Sequence, residues 1–402
     1  VDAPDAGSDA AQRRTRRTMT KIPFLLLGDG PAEPTGLGRI ARDLASQILT
    51  SSLPLDLVQV GGSLPPVWTA WRHVPLDRQE DWGAKNVQAI YRSIWGKTPG
   101  ILFAIWDPSR LYPYCEVDLP VQKWCYTAVD GRNLHDMISG PARAALERFD
   151  RVLAYGRYGA EVITQTLGKP VAWLPHGIST STYSIGTSPA LRQWAQETLG
   201  PHAIGKLLLG SVMSNQPRKD FGLLFEAVGI LQRRGWPVYL WLHTDELVKA
   251  WSVQQLVEDT RLAKKVTVTG VGGQAVSDQQ LAALYQCCAV TLLPSLGEGF
   301  GYPIVESLAS GRPCVHTQWA GGEALVPRVE WKVPVRERRL DSVYAIARPV
   351  MRPEDWANAV ERAVKWRQTE GAVGEAYLKG SVEHLDWTQL WSRWQQWFKE
   401  GL

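Results

Sequence analysis

The sequence has no hydrophobic run long enough to cross a membrane. Its longest apolar segments, "FLLLG" from Phe24 and "AVTLLP" from Ala289, are far shorter than the roughly 20 residues that a membrane-spanning helix needs. The first twenty residues are polar, and their basic cluster precedes a strand-length apolar run rather than the hydrophobic core of a secretory signal. We therefore expect a cytoplasmic protein without integral membrane contact.

Cysteine is also scarce, and its spacing is not that of a metal site. The five cysteines include no C-x-x-C pair and have no histidine cluster nearby. Reduced, buried thiols are the expected state of such residues in the cytoplasm. The sequence therefore predicts no bound zinc and no other metal.

Excess charge is small and lies in one segment. The formal net charge is +4, and Arg13, Arg14, Arg16 and Arg17 supply four positive charges, so the body is close to neutral. Because residues 1–20 have little apolar surface to bury, we expect a disordered basic tail there. A solvated arm is one interpretation of this tail, and a contact with DNA or another anionic surface is the other.

The composition is that of an ordinary globular protein. With 402 residues, 45% of them hydrophobic and 21% charged, the chain exceeds one typical core and predicts two domains. Strand-like runs alternate with helical stretches, for example from Gly38 and from Gly140, which indicates parallel α/β architecture. The predicted strands are 22–28, 55–60, 100–107, 123–129, 151–156 and 171–175, then 206–213, 238–244, 265–270, 289–294 and 313–317.

Two such units in tandem predict two Rossmann-like domains that face each other across a cleft, with ligands at the carboxyl ends of the strands. We expect the first domain at 21–190, a linker at 191–205 and the second domain at 206–380. The last segment, 381–402, has one aromatic helix face made of Trp387, Trp391, Trp394 and Phe398. This face is expected to dock on the protein's own body; a membrane or partner surface is the alternative.

The segment "LPSLGEGFGYPIVESLASGRPCV" (293–315) contains the main candidate site. A strand leads into a glycine-rich loop, Pro303 suits the start of a helix, and Gly311 suits its end. The amino terminus of a helix favours an anion such as phosphate. Glu306, one turn into the helix, and Glu298, on the loop, are each able to accept hydrogen bonds from vicinal hydroxyls. The pattern predicts a nucleotide-sugar site, whereas a solvated helix residue and a loop charge are the alternative.

Glu298 and Glu306 resemble the E-x7-E signature of retaining GT-B glycosyltransferases (glycosyl transferases group 1), and the resemblance extends over nearly the whole chain after the tail. It implies the GT-B fold, in which a carboxyl-terminal helix crosses back to the first domain. It further implies that Glu298 contacts the donor sugar and Glu306 the ribose. The backbone of Gly299, Phe300 and Gly301 would contact the sugar hydroxyls and the phosphate.

A basic pair follows the strand in "GSVMSNQPRKDFGLLFEAV" (210–228). Arg218 and Lys219 lie where the resembled enzymes keep cations on the donor diphosphate, which stabilise the negative charge that grows as the sugar leaves. The commonest pattern has an arginine several positions before the lysine and a glutamate beside it. Asn215 and Arg218 occupy those places here, so which basic residue makes which contact stays open, as does a plain surface pair.

Near the amino terminus, the stretch from Gly36 to Ala41 fits the dinucleotide pattern G-x-G-x-x-A. The loop from residue 28 to 36 is longer than the tight turn of that motif, and the next strand ends "LVQVGG" without a ribose-binding acid. Both features argue against a nicotinamide cofactor. By resemblance, Gly36 and Gly38 belong to a loop that approaches the donor phosphate from the first domain.

Other candidates are less specific. Asp130 in "YTAVDGRNL" is either a catalytic-region acid near the acceptor or part of an Asp-Gly turn. Gly270 and Val271 are predicted to line the base pocket, and His176 is predicted to be structural. Trp68, Trp71 and Trp82 either stack on an acceptor or belong to the core.

The predicted function is transfer of a sugar from a nucleoside diphosphate donor, a UDP- or GDP-sugar, to an acceptor hydroxyl with retention of configuration. No other cofactor is expected, since the cations and the helix terminus supply the positive charge. A glycan, a small molecule, a protein hydroxyl and a hydroxylated DNA base all stay open as acceptors. A GT-B phosphorylase or epimerase, or a catalytically silent nucleotide-sugar binder, is the alternative.

Overall fold

Two parallel β-sheets, each covered by helices, organise the chain. A computed structural model describes residues 21–62, 68–76, 83–138, 140–273, 276–341 and 345–402. The predicted disordered tail and Trp82 lie outside these residues. No helix within the described ranges combines the length and the apolar character needed to cross a bilayer.

The first sheet has seven parallel strands in the order β3-β2-β1-β4-β5-β6-β7. They are β1 Ile22–Leu27, β2 Leu55–Val60, β3 Arg72–Val74, β4 Gly100–Ile105, β5 Val121–Thr127, β6 Arg151–Ala154 and β7 Ala172–Trp173. The helices of this half are α1 Gly36–Thr50, α2 Ala84–Trp95, α3 Tyr112–Cys115, α4 Gly140–Glu147 and α5 Arg157–Leu167. Central strands such as β4 are apolar throughout because helices bury both faces of the sheet.

The second sheet has six parallel strands in the order β10-β9-β8-β11-β12-β13. They are β8 Leu207–Val212, β9 Val238–His243, β10 Val266–Thr269, β11 Val290–Leu293, β12 Cys314–Thr317 and β13 Lys332–Val333. Its helices are α7 Phe221–Arg233, α8 Val253–Asp259, α9 Asp278–Cys287, α10 Tyr302–Ala309 and α11 Pro353–Val382. The prediction of two Rossmann-like units is therefore confirmed.

Part of the segment predicted to link the domains is helical. Helix α6 is Pro189–Leu199, and the side chain of the preceding Ser188 caps it by accepting a hydrogen bond from the N–H of Leu191. The carbonyl oxygen of Leu199 accepts hydrogen bonds from the hydroxyls of Tyr239 and Thr267. These hydrogen bonds attach the carboxyl end of the helix to the second sheet.

The two segments that run between the domains are paired with each other. The N–H of Ile178 donates to the carbonyl oxygen of Leu385 at 2.9 Å. On the returning segment, Asp386 accepts hydrogen bonds from both the N–H and the hydroxyl of Thr180. The outgoing and returning chains therefore cross side by side, as a short parallel bridge.

The last helix, α12 Trp387–Lys399, docks on the first sheet. The ring of Phe398 packs edge-on against Phe24 of β1, with 5.8 Å between the ring centroids. The indole of Trp394 lies 4.9 Å from the ring of Tyr126 on β5, and its N–H donates to the carbonyl oxygen of Pro175 at 3.0 Å. The helix that follows the second domain thus crosses back to the first, as the aromatic spacing and the resemblance predicted.

Several strands have no counterpart among the predicted ones, namely the short edge strands β3 and β13 and the two strands of a hairpin. An antiparallel hairpin of β14, Glu337–Asp341, and β15, Ile346–Val350, projects from the second domain. Its backbone reaches the first domain, where the N–H of Ala347 donates to the carbonyl oxygen of Arg132 at 2.8 Å. The segment "ERRLD" was not identified as a strand because four of its five side chains are charged and all are exposed or half-buried, so that it has neither an apolar run nor an apolar face.

Candidate active site

The glycine-rich loop adopts the predicted strand-to-helix geometry. Strand β11 ends at Leu293 and helix α10 begins at Tyr302, with Pro303 in its first turn. Gly301 has φ 112° and Gly311 has φ 72°, so both ends of the helix need a residue that tolerates the left-handed region. Of the two glutamates, one therefore lies on the loop and the other inside the helix.

Glu298 is buried between two cations. Its side chain is 6% exposed, and one carboxylate oxygen accepts a hydrogen bond from the ammonium group of Lys219. The guanidinium of Arg218 lies 3.5 Å from the same oxygen. Burial alone would raise the pKa of Glu298, but the charges of Lys219 and Arg218 lower it to about 2. Burial lowers the pKa of Lys219 to about 8, with Glu298 opposing and Arg218 reinforcing the effect.

Backbone pairing brings the basic pair to the glycine-rich loop. Lys219 and Ser295 form an antiparallel bridge, and the N–H of Leu296 donates to the carbonyl oxygen of Arg218 at 2.8 Å. The guanidinium of Arg218 also donates to the carbonyl oxygen of Gly297 at 2.9 Å. Asn215, in contrast, is fully buried and bonds to backbone carbonyls at 246 and 251, which is a structural role.

Asp130 meets this cluster from the first domain. One carboxylate oxygen lies 3.3 Å from Arg218, and the other lies 3.4 Å from Arg348 of β15. Arg348 is only 8% exposed and also donates to the backbone carbonyl of Asp130 at 3.0 Å. The adjoining Gly131 leaves room for the hairpin, since a β-carbon there would lie 2.4 Å from Ile346. Asp130 therefore belongs to an ionic cluster that joins both domains.

Two glycines of the loop make the close contact between the domains. A β-carbon at Gly297 would lie 1.8 Å from the carbonyl oxygen of Asp130. A β-carbon at Gly299 would lie 2.6 Å from the β-carbon of Ala128. The space that side chains at 297 and 299 would fill is therefore occupied by the first domain rather than left open for a ligand. The ring of Phe300 packs nearby on His176, with centroids 4.0 Å apart.

Glu306 has partners in both domains. It is 3% exposed, and one oxygen pairs with the guanidinium of Arg39 from helix α1. The other oxygen accepts a hydrogen bond from the hydroxyl of Tyr285 at 2.8 Å. The guanidinium of Arg39 also lies 4.4 Å from the ring centroid of Tyr302 and 5.2 Å from that of Tyr183. Sequence reasoning passed over Arg39, although it directly follows Gly38 in the quoted motif.

The glycines of the first-domain loop have separate causes. A β-carbon at Gly38 would lie 2.6 Å from the carbonyl oxygen of Glu33, so Gly38 is required by the fold of its own loop. Thr35 caps helix α1 by accepting a hydrogen bond from the N–H of Gly38 at 2.9 Å. Gly36 faces the other domain, since its β-carbon position lies 3.9 Å from the ring of Tyr302.

His176 is buried, and its surroundings are aromatic. Its Nδ1 lies 3.1 Å from the hydroxyl of Tyr126, and its ring packs against those of Phe300 and Tyr302. Burial, assisted by the charge of Arg39, holds the pKa of His176 well below its usual range, so the ring is neutral. This environment agrees with the predicted structural role.

The remaining candidates lie further from the ionic cluster. Gly270 and Val271 follow β10 at the same sheet edge, with β9 and β8 between them and β11. Trp71 is half-buried, and its N–H donates to Gln59 at 2.8 Å, whereas Trp68 is 100% exposed. Within the described ranges, neither tryptophan shares a hydrogen bond with the side chains of the ionic cluster. Among the residues described, no three histidine, cysteine or acidic side chains are grouped so as to hold a metal ion.

The comparisons with known proteins agree on the second domain and on the fold. Residues 206–365 match the family model "Glycosyl transferases group 1". A stretch of 66 residues is 39% identical to the O-antigen chain mannosyltransferase RfbU of Salmonella typhimurium, which is 16% of this chain and 18% of that protein. The matched part thus spans less than a fifth of that relative.

Solved structures resemble nearly the whole chain. Sucrose-phosphate synthase from Thermosynechococcus elongatus has a TM-score of 0.72 at 16% identity, over 94% of this chain and 99% of its own. HepE of Anabaena, in complex with UDP and glucose, has a TM-score of 0.70 at 15% identity, over 94% and 100%. At these identities the likeness concerns the fold. Residues 206–365 thus match the glycosyl transferases group 1 family, and they form much of the second half of a chain that has the GT-B fold.

Proposed function

We propose that this protein transfers a sugar from a nucleoside diphosphate sugar to an acceptor hydroxyl, with retention of the anomeric configuration. The observation that carries the proposal is the meeting of Arg218, Lys219, Glu298 and Asp130 where the glycine-rich loop contacts the first domain. Cations and carboxylates from different elements converge at the carboxyl ends of both sheets, where α/β proteins of this kind bind their ligands.

The charges of the cluster suit a diphosphate. Arg218 and Lys219 are currently neutralised by Glu298 and Asp130. A donor diphosphate would take over these cations as partners, which leaves the two carboxylates able to accept hydrogen bonds from sugar and acceptor hydroxyls. Fixed cations then stabilise the charge that develops on the leaving phosphate.

In the proposed reaction the bond between the anomeric carbon and the phosphate oxygen breaks while the acceptor oxygen bonds to the same face of that carbon. The acceptor proton passes to the departing phosphate oxygen, so no covalent enzyme intermediate forms. Glu298 orients the donor sugar, and Glu306, held by Arg39 and Tyr285, orients the ribose. Positioning rather than nucleophilic attack by the protein accelerates the step.

A UDP-sugar is the favoured donor, because the structure of HepE that this fold resembles contains UDP and glucose. A GDP-sugar is the second choice. The cytoplasmic location and a contact between the basic tail and DNA stay predictions from the sequence.

Release of nucleoside diphosphate from a panel of sugar nucleotides, with and without pooled acceptors, tests the proposal. We expect release from one donor, raised by one acceptor pool, and a product whose anomeric configuration by NMR matches that of the donor. Lys219→Ala should mainly slow transfer and Glu306→Ala should weaken donor binding. Lys249→Ala, which removes an exposed lysine of the second domain, is the control. Bound donor without transfer would favour the silent binder, and turnover with phosphate alone would favour a phosphorylase.

A further inference from the structure

Strand β15 of the hairpin brings a buried arginine from the second domain to Asp130. The hairpin is docked on the first domain through its backbone, because the N–H of Ala347 donates to the carbonyl oxygen of Arg132. The next residue, Arg348, is buried and donates to the backbone carbonyl of Asp130 at 3.0 Å. Since the backbone contact does not involve the side chain of Arg348, docking of the hairpin does not by itself account for this arginine.

The guanidinium of Arg348 is packed between two glycines. A β-carbon at Gly297 would lie 2.6 Å from its Nη1 atom, and a β-carbon at Gly131 would lie 3.1 Å from the same atom. Gly297 belongs to the glycine-rich loop of the second domain, and Gly131 follows Asp130 in the first domain. The guanidinium therefore lies where the two loops of the ionic cluster meet, and both loops restrict its position.

Asp130 divides its two carboxylate oxygens between two arginines. Oδ2 lies 3.3 Å from Arg218, and Oδ1 lies 3.4 Å from Arg348. Among the residues that the structure describes, no other cation lies within 4 Å of this carboxylate. Arg218 also faces Glu298 at 3.5 Å, whereas the further carboxylate near Arg348 is that of Asp341, at 3.9 Å. Arg218 thus also belongs to the proposed diphosphate site, and Arg348 lies on its other side from Asp130.

The remaining charged or titratable groups around Asp130 are unable to replace these arginines. Asp107, at the end of β4, is another carboxyl group, and its pKa is raised by burial and by the charge of Asp130. Tyr158 of helix α5 is neutral, because burial raises its pKa to about 12. Arg132 pairs with a carboxylate of its own segment, and Lys219 donates to the carboxylate of the glycine-rich loop. The charge of Asp130 is therefore balanced by the two arginines alone.

The proposed reaction takes one of these arginines away from Asp130. When a donor diphosphate engages Arg218, the half-buried carboxylate loses that cation and keeps the cost of its desolvation. Such a carboxylate either retains another cation or takes up a proton. A protonated carboxyl group has one hydrogen-bond acceptor fewer and is itself a donor. The ionised state of Asp130 during transfer accordingly depends on Arg348.

We propose that Arg348 is a positioning residue of the transfer reaction, which keeps Asp130 ionised and in place while the donor diphosphate engages Arg218. The inference rests on the proposed function, because it names a further residue of that site. Opening of the cleft separates both arginines from Asp130, and closure on the donor restores only the pair with Arg348. Asp130 then presents a fixed carboxylate to the incoming hydroxyl, whose proton still passes to the departing phosphate oxygen.

Steady-state kinetics of Arg348 variants test this role, with the donor and the acceptor pool that the wild type selects. We expect Arg348→Ala to lower kcat by about tenfold or more and to change the donor KM by less than about twofold, because the diphosphate site stays intact. Arg348→Lys should recover part of kcat, since an ammonium group supplies the charge but not the paired N–H groups of a guanidinium. Wild-type kcat in Arg348→Ala, or a loss confined to the donor KM, overturns the inference.

Arg339→Ala is the matched control for these variants. Arg339 is an exposed arginine that lies opposite Arg348 in the register of the same hairpin. Its removal takes away an equal charge without touching the ion pair with Asp130, so kcat should stay within about twofold of the wild type. An equal loss of kcat in Arg339→Ala and Arg348→Ala would assign the effect to the net charge of the hairpin and overturn the specific role of Arg348.

A double-mutant cycle separates positioning of Asp130 from docking of the hairpin. Asp130→Asn removes the charge that Arg348 is proposed to hold, so Arg348→Ala should lower kcat by less than about twofold further in that background. An arginine that only docks the hairpin would cause the same fractional loss whether residue 130 is Asp or Asn. The double variant also has no unpaired carboxylate at position 130, so this comparison is available even where Arg348→Ala alone does not fold.

The outcomes separate this inference from the proposed function. Wild-type protein that binds UDP or GDP in calorimetry but releases nucleoside diphosphate from no donor contradicts the proposed transfer, and the role of Arg348 with it. Wild-type transfer together with an equal fractional loss from Arg348→Ala in both backgrounds contradicts only the role of Arg348.

Discussion

The guanidinium of Arg39, on helix α1 of the first domain, forms an ion pair with the carboxylate of Glu306 in the second domain. Both groups are largely buried, and the rings of Tyr183 and Tyr302 lie against the guanidinium. A buried carboxylate that loses its cation keeps its desolvation penalty without the compensating attraction. Arg39 therefore acts as a positioning residue for Glu306.

Replacing Arg39 tests this role. Arg39→Ala is expected to weaken donor binding by about tenfold or more, because Glu306 keeps hydroxyl partners such as that of Tyr285 but loses the cation that neutralises it. Arg39→Lys should recover part of the affinity but not the stacking. Calorimetry with the donor nucleotide, together with donor KM and kcat, measures the effect. Arg42→Ala, on the same helix but more exposed, is the control, and an equal loss in both variants would contradict the role of Arg39.

The lowered pKa of Lys219 predicts that the transfer reaction depends on pH. Burial lowers its pKa to about 8, so the ammonium form dominates below this pH and is lost above it. Since the charged form would stabilise the leaving phosphate, kcat/KM for the donor should fall as pH rises through about 8. Lys219→Arg keeps its charge throughout, so its residual activity should lack this alkaline decline. An identical decline in both proteins would assign the titration to another group.

The sequence pointed to some of these residues and not to others for a physical reason. Glu298 and Lys219 each lie in a local pattern of strand, loop and helix, which a short window of sequence displays. Arg39 and Arg348 acquire their roles by pairing with residues more than 200 positions away. No local periodicity encodes such a pairing, so only the fold brings these arginines to the site.

At the scale of elements, the glycine-rich loop acts through its backbone. Gly297→Ala would place a β-carbon 1.8 Å from the carbonyl oxygen of Asp130, so the loop and the first domain would have to separate. We expect a loss of about 100-fold in transfer rate, since a displacement of ~1 Å at an active site has that effect. Thermal unfolding should change little, because Gly297 lies in a loop outside the strands and helices that make up the hydrophobic core.

Gly380→Ala is the matched control for this glycine. Gly380 lies in helix α11, and a β-carbon there would meet no atom within 4 Å. Alanine is favoured over glycine in a helix, so this variant should be as active as the wild type and slightly more stable. Wild-type transfer by Gly297→Ala would show that the contact with Asp130 is not needed for the reaction.

Some strands were easier to predict from the sequence than others. Buried parallel strands such as β1 and β4 are continuous apolar runs, and their positions agree with the prediction to within two residues. Strands β3 and β13 and the hairpin β14–β15 were missed, because short or exposed strands lack both an apolar run and an alternating face. The missed hairpin contributes Arg348, so the incomplete fold prediction also left the site incomplete.

At the scale of the whole molecule, α12 joins the two halves. Trp394 is fully buried against the first sheet, although its helix follows the second domain in sequence. Trp394→Ala is expected to lower the free energy of unfolding by about 3–5 kcal/mol, the usual cost of deleting a buried aromatic side chain. Chemical denaturation followed by circular dichroism measures it. Trp391→Ala, on the same helix but half-buried, should cost less, and an equal cost would contradict the packing argument.

The paired crossing segments determine how the domains are able to move. Because Ile178 and Leu385 are hydrogen-bonded side by side, the two connections act as one hinge rather than as two independent tethers. A hinge rotation about this line opens the cleft between the domains, whereas sliding or twisting of one domain against the other would break the pairing. Groups near the hinge, such as His176, then move least. Groups at the edge of the cleft furthest from the hinge move most. We therefore expect a donor to enter at the edge of the cleft that lies away from the hinge. The rotation that admits it must first separate Arg39 from Glu306 and Asp130 from Arg218.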